Sequence, residues 1–209
     1  VDDAEILRYF NQCLRNLERE HDWDFNRTSA SFTYVSTSAS YTVSAIGDGR
    51  WKNPIDLFAG YQYHFEFVDA NDFLYLSSMS NNVWSYRTGQ LYVNNETNVT
   101  ALSVTYYTSA MAQTSGGSWQ TQLSASTDSP IMPERFHDVL TDYALMKIYR
   151  KEGLLEDYGI SKNEFEGRVQ DLKNEYISRT TKPLRAWGHI QDHKGGIGVW
   201  DKRENPLRQ

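Results

Sequence analysis

The sequence predicts an α+β protein: a small helical bundle, formed by an N-terminal helix and two C-terminal helices, with a β-rich insertion and an extended C-terminal tail. Three observations predict it. Apolar residues recur at helical spacing near the N-terminus and again after Pro133. Apolar and polar residues alternate at period two through much of residues 29–127. No period is visible after Pro183. The bundle accordingly takes residues 1–28 and 128–180, the insertion 29–127 and the tail 181–209.

The first helix is expected from Asp2 to Glu20, because Ile6, Phe10, Leu14 and Leu17, with Leu7 and Cys13 beside them, share one helical face. Asp2, Asp3 and Glu5 fall in its first turn, where they suit the positive end of the helix dipole. It should end before the aromatic pair Trp23 and Phe25.

Strands are expected around Phe32 and Tyr34, Tyr41 to Ala45, Tyr61 to Phe67, and Leu102 to Tyr106. Turn chemistry separates them at Gly47-Asp48-Gly49, Asn53-Pro54, Asn81-Asn82, Asn94-Asn95 and Ser115 to Ser118. A short helix at Asp69 to Ser77 interrupts the sheet. Pro133 then opens a second helix at its first position, where a missing N–H does no harm, and a stripe from Phe136 through Tyr143 to Ile148 carries it to Gly153. Ser161 and Glu164 form a capping box for a third helix, whose seam is Phe165, Val169, Leu172 and Tyr176. Thr180 to Pro183 stops it. The remaining stretch holds two prolines, four glycines and two tryptophans. Nothing comparable to a helical seam holds it on its own chain, so its tryptophans need an external surface.

Composition bounds the function. With 209 residues the chain can bury one substantial core, or one domain with an appendage. Hydrophobic residues at 39% and only 13 Gly and 5 Pro exclude collagen-like and wholly disordered classes. One cysteine, Cys13, permits neither an intrachain disulfide nor a cysteine-built zinc site, and suits a setting that is reducing or indifferent to redox. No apolar run is long enough to span a bilayer and the N-terminus is acidic, so neither a membrane segment nor a signal peptide is expected.

The net charge of -6 argues against a free-standing nucleic-acid binder. It is unevenly spread. Residues 1–21 carry five acids and three bases, 22–130 nine and four, 131–179 ten and eight, and 180–209 three and six. A charge-poor β region thus lies between charge-dense segments, and the tail is basic.

Candidate chemistry is sparse. His189 and His193 have the spacing of two ligands on a helix, but the surrounding glycines disfavour one and no third ligand is evident. His21, His64 and His137 lie in three separate elements. Glu66, Asp69 and Asp72 are the nearest set of carboxylates for acid/base work, with no supporting motif. Gly195-Gly196-Ile197-Gly198 follows no strand and opens no helix, so a phosphate role is weak. The acceptor triplets at Asn26, Asn95 and Asn98 read as turn residues. No catalytic residue, metal site or cofactor is assigned, and an enzyme is not expected. Aromatics on a Ser/Thr/Tyr-rich sheet leave a carbohydrate- or receptor-binding β module as the alternative function.

One arrangement accounts for most of these features. A helix runs into the aromatic stop Trp23-Asp24-Phe25, a β insertion carries Gly89-Gln90-Leu91-Tyr92-Val93-Asn94, and Met132-Pro133-Glu134-Arg135-Phe136 opens a helix containing Tyr143-Ala144-Leu145. This order resembles the head-to-tail adaptor and tail tubular protein A family of tailed bacteriophages, over roughly residues 4–180. The resemblance implies a structural virion protein of the neck, assembled in the bacterial host cytoplasm. It implies a ring of twelve copies beneath the portal, joined to the next tail component (nozzle or tail-tube protein), with a central channel through which DNA passes without sequence-specific binding. A ring repeats one heterologous contact until it closes. The tail is expected to dock on the portal, with Trp187 and Trp200 as anchors and Lys194, Lys202, Arg203 and Arg208 against an acidic patch. An acidic channel wall would let DNA slide, and the nine acids against four bases of residues 22–130 are compatible with one.

Overall fold

The computed structural model describes residues 2–37, 40–60, 63–78 and 82–177. Helix α1 (Asp3–Glu20) starts where expected, because the Asp2 carboxylate accepts the Glu5 backbone N–H at 2.7 Å and satisfies one of the donors a helix start leaves open. Cys13, Leu14 and Leu17 are its buried face. The chain then enters β1 (Arg27–Thr33), β2 (Tyr41–Thr42), β3 (Trp51–Ala59), β4 (Tyr63–His64) and β5 (Glu66–Phe67). After the short α2 (Phe73–Ser77) come β6 (Val83–Arg87), β7 (Gln90–Asn94) and β8 (Ala101–Thr108). Three two-residue strands follow: β9 (Ala112–Gln113), β10 (Trp119–Gln120) and β11 (Ser129–Pro130). The chain continues through α3 (Asp138–Glu152) and α4 (Leu155–Tyr176).

The strands make three sheets, ordered β1-β8-β3-β4, β2-β7-β6-β5 and β10-β9-β11. All pairings are antiparallel except β5 with β6, where Phe67 lies beside Trp84. The first two sheets share one apolar core: Leu57, Leu102 and Val104 come from one, Trp84, Leu91 and Val93 from the other, and Trp51 of β3 meets Tyr86 of β6 at 6.2 Å between ring centroids. A second core joins α1, α3 and α4 to Met111, Ala112, Leu123 and Met132, which lie in or beside the third sheet.

This corrects the expected small helical bundle with a β-rich insertion. The described residues form a β-rich molecule of three sheets, eleven strands and four helices. The reason lies in the second core. Three helices leave one side of their seam open, and here Met111, Ala112 and Leu123 close it. Helix α3 accordingly buries residues on several sides, Val139, Leu140, Asp142, Tyr143, Ala144 and Met146, rather than one stripe. Helical period reveals each helix but not which element covers it. The expected extended tail, 181–209, lies outside the described residues.

Local differences have local causes. Asn53-Pro54, expected as a turn, sits inside β3, where the pairing with β8 slips between Trp51 and Asn53 and again between Pro54 and Asp56. A bulged strand tolerates a residue that has no N–H to donate. Val43–Ala45 is a 3-10 turn rather than the continuation of β2. Ser161 is not a cap: α4 begins at Leu155, after Gly153 closes α3 at φ 77°. The Gly47-Asp48-Gly49 turn is present. Gly47 adopts φ +65° with its backbone against Ala30 and the Tyr106 hydroxyl, so a Cβ there would collide with both. Asp48 then accepts from Tyr106 Oη at 2.8 Å and from Thr108 Oγ1, binding the turn to β8.

The two cores meet at the end of α1. Trp23, fully buried, donates its indole N–H to the Leu17 carbonyl at 2.7 Å. Lys52 of β3 donates to the carbonyls of Glu18 and His21 and lies 3.3 Å from the Asp22 carboxylate. The ammonium therefore sits at the negative end of the helix dipole and pairs carbonyls that no further helical turn serves.

Two expectations follow. Lys52→Met keeps the aliphatic stem but leaves these acceptors unmet. It should lower stability in urea unfolding by about 1–3 kcal/mol, and an unchanged midpoint would contradict the role given to Lys52. Asp128, between β10 and β11, accepts from Ser124 N and Oγ, Gln120 Nε2 and Ala125 N, and these bonds hold its carboxyl down to about 2. Because the folded value lies below the ordinary 3.8, its contribution is present above that pH and is lost as pH falls through about 2. In an NMR titration the Asp128 carboxyl should stay ionised at pH 3; a midpoint at the ordinary value would show that the loop bonds do not hold in solution.

Candidate functional site

The residues nominated for partner binding, Trp187, Lys194, Trp200, Lys202, Arg203 and Arg208, lie outside the described residues, as do His189 and His193. The other nominated groups are dispersed, and most of them are engaged within the fold. His21 packs edge-on against Trp23, the His64 Nδ1 lies 3.2 Å from Asp56, and the His137 ring bonds the Met132 carbonyl at 2.9 Å. Among the described residues no three His, Cys, Asp or Glu side chains converge as a metal group. Asp69 accepts both the backbone and side-chain N–H of Asn71, which makes it a turn residue. Asn26 is 3% exposed, its amide directed at the Thr108 carbonyl and the Met111 sulfur, so it presents no acceptor site to solvent. Asn95 holds the backbone and hydroxyl of Thr97 in a tight turn. Burial pushes the Cys13 thiol up to about 12, which leaves it protonated and inert at neutral pH.

A groove of about 600 Å³ opens between the start of α1, the connection from β10 to β11 and the start of α3. Its apolar walls come from Ile6, Leu7 and Phe10 on one side and Leu123, Leu140 and Pro130 on the other. Asn11 builds the near wall: its side-chain amide donates to the Leu123 carbonyl at 2.9 Å and its oxygen accepts the Leu123 N–H at 2.8 Å. The Asp128 bonds described above keep the following loop in shape. Three carboxylates, Asp3, Asp128 and Asp138, line the groove without any Lys or Arg among its lining residues.

Charge pairs brace this end of the molecule. Lys151 at the end of α3 donates to both Glu5 oxygens, at 2.8 and 3.0 Å; together with the Tyr9 hydroxyl, it lowers the Glu5 carboxyl. Arg168 of α4 reaches Asp138 at 2.7 Å and Asp142 at 2.9 Å. Burial pushes the Asp142 carboxyl up, with Arg168 opposing. Two further apolar exposures lie elsewhere. Leu154, Leu155 and Ile160 cluster in sequence at the turn from α3 into α4, with Leu155 74% exposed. Leu74, 79% exposed, stands with Tyr75 on α2.

Sequence reasoning placed Ile6, Leu7 and Phe10 in the helical seam and missed that they are only partly covered. A groove assembled from residues 3–10, 123–130 and 137–141 has no local signature. Leu154-Leu155 did carry a signal, since two leucines directly after a helix-ending glycine lie outside the stripe of either helix.

No helix among the described residues is long and apolar enough to cross a membrane. No curated protein matches the chain. The SU10 adaptor protein family model matches residues 1–186, which takes in both cores and the groove and stops one residue short of Trp187. The chain therefore belongs to the SU10 adaptor protein family, and is a phage adaptor, a structural component of the virion.

Proposed function

We propose that this chain is the head-to-tail adaptor of its virion: a ring, of twelve copies, seated beneath the portal and joining it to the next tail component, with a central channel for DNA. Family membership over residues 1–186 is the observation that carries the reading. The build of the molecule suits it. Two cores braced through one junction supply two unlike ends, one helical and one β, as a part that couples two different neighbours needs. The apolar exposures differ in kind, a groove at one place and protruding leucines at others, as a heterologous and ring-closing contact requires.

In this reading the C-terminal segment anchors on the portal through Trp187 and Trp200, with Lys194, Lys202, Arg203 and Arg208 against acidic portal residues. DNA passes the channel without sequence-specific binding, because nine acids against four bases in residues 22–130 give phosphates little to hold. The protein's role is structural, with no catalytic step.

Mixing the full chain with the portal protein of the same virion and imaging the product in negative stain tests the ring. The expected particle is a closed twelvefold ring on the portal with an open centre; a chain that stays monomeric and unattached would sink the reading. Assembled rings should retain duplex DNA weakly. Tight binding that falls about a thousandfold or more between 50 and 200 mM salt would instead mark a phosphate-gripping surface. Replacing Trp187 and Trp200 by alanine should weaken portal binding at least about thirtyfold, the loss expected for one anchor of about 2 kcal/mol. Undiminished affinity would remove the tail as the anchor.

A further inference from the structure

The groove is apolar along its walls and acidic in its polar lining, and His137 in that lining follows Phe136, against which Tyr176 near the end of the described chain packs. We propose that in the free protein it is occupied by the C-terminal segment of the same chain, residues 178–209, with Trp187 as the inserted side chain. Portal binding then draws the segment out. Only this second step rests on the adaptor reading above.

Charge selects the occupant. The groove lining holds Asp3, Asp128 and Asp138 and no Lys or Arg; Asp138 is already paired with Arg168 from outside the lining, whereas Asp128 is kept ionised by neutral donors rather than by a cation, so Asp3 and Asp128 are the acids left for a basic occupant. Residues 180–209 carry six bases against three acids. The competing apolar knob, Leu154 and Leu155 of a neighbouring copy, is flanked by Glu152, Glu156 and Asp157 and would bring acids against acids. Its nearest preceding base, Lys151, is already held by Glu5.

Position and reach agree. Tyr176 at the end of α4 packs on Phe25 and Phe136 and accepts a bond from Arg135 at 2.7 Å. His137, next to Phe136 in the chain, already lines the groove. From Ile177 to Trp187 the chain spans ten residue steps, roughly 33–36 Å when extended. A segment tethered this closely meets its own groove at an effective concentration in the millimolar range, far above that of other copies in dilute solution. The volume, about 600 Å³, is that of a site for a large side chain with its neighbours. Trp187 is the first large aromatic that the segment offers, and bases stand on both sides of it in the sequence, Lys182 and Arg185 before and Lys194 after.

The test places a photo-crosslinking residue at Ala4 or at Ser126, both exposed members of the lining, in the otherwise intact full chain. Light and isotopically heavy protein are mixed at low concentration before illumination. Expected are crosslinks from the groove to the peptide bearing Trp187, confined to light–light and heavy–heavy pairs. They should fall at least about tenfold in Trp187→Ala, and should weaken as salt is raised from 0.05 to 0.5 M. Mixed light–heavy crosslinks would assign the groove to a neighbouring copy and overturn the proposal, as would the absence of crosslinks to residues 178–209 from both positions. Adding the portal protein should then abolish the crosslinks. If they are present in the free chain and persist on the portal, the groove assignment stands and the portal-anchoring role of the tail fails.

Discussion

The last turn of α1 leaves carbonyl groups that its own helix does not pair, and in this chain a lysine from a β-strand answers them. Lys52 reaches from β3 to the Glu18 and His21 carbonyls and to the Asp22 carboxylate, while Trp23 caps the same turn through Leu17. Asn53 beside it bonds Asp22, and Tyr107 of β8 lies within 3.3 Å of Asp24. The helical core and the two-sheet core are thereby fixed to each other over a few residues. An adaptor has to transmit position from one neighbour to another, and a hinge at this point would defeat that. The Lys52 side chain is 20% exposed, so its attraction to the carboxylates is screened less than at an open surface.

The third sheet is the smallest and has the largest effect on the helices. Its strands are two residues each, and the Ile131 N–H bonds the Met111 carbonyl to extend the pairing. What it contributes is side chains: Met111 and Leu123 complete the seam that α1, α3 and α4 leave open. The same segment forms a groove wall, through the paired bonds of Asn11 with Leu123. Stability of the helical end and shape of the groove therefore depend on one connection, and a change that loosens it alters both.

What could be read from the sequence followed how local the cause was. Asp2 with Ile6, Phe10, Leu14 and Leu17 identifies α1, and alternation of Leu102, Val104 and Tyr106 identifies β8, because cap and period are each written within a few residues. β3 was hidden by Asn53-Pro54, whose turn-like chemistry is absorbed by two slips against β8 that only pairing reveals. Ser161 had the form of a cap but is buried within α4, where packing overrides preference. Sheet order joins positions as far apart as Arg27 and Tyr107, and the closing of the helical core and the groove join positions more than a hundred residues apart, such as Asn11 and Leu123, so no short window along the chain contains them. That the chain is a phage adaptor, by contrast, was legible from the order of Trp23-Asp24-Phe25, the aromatic insertion and Pro133 to Phe136, since order survives where individual motifs are short; the family match is to the SU10 adaptor proteins and does not extend to the tail tubular protein A resemblance.

Cys13 has a consequence outside structure. It is the chain's single cysteine, fully buried in the helical core, with a thiol that stays protonated at neutral pH. A maleimide reagent will find it only when α1 lifts away from α3 and α4, so the rate of its alkylation is a built-in clock for opening of that end. A cysteine introduced anywhere on the surface will, for the same reason, label cleanly, and the protein can be fitted with a single dye without first removing its native thiol.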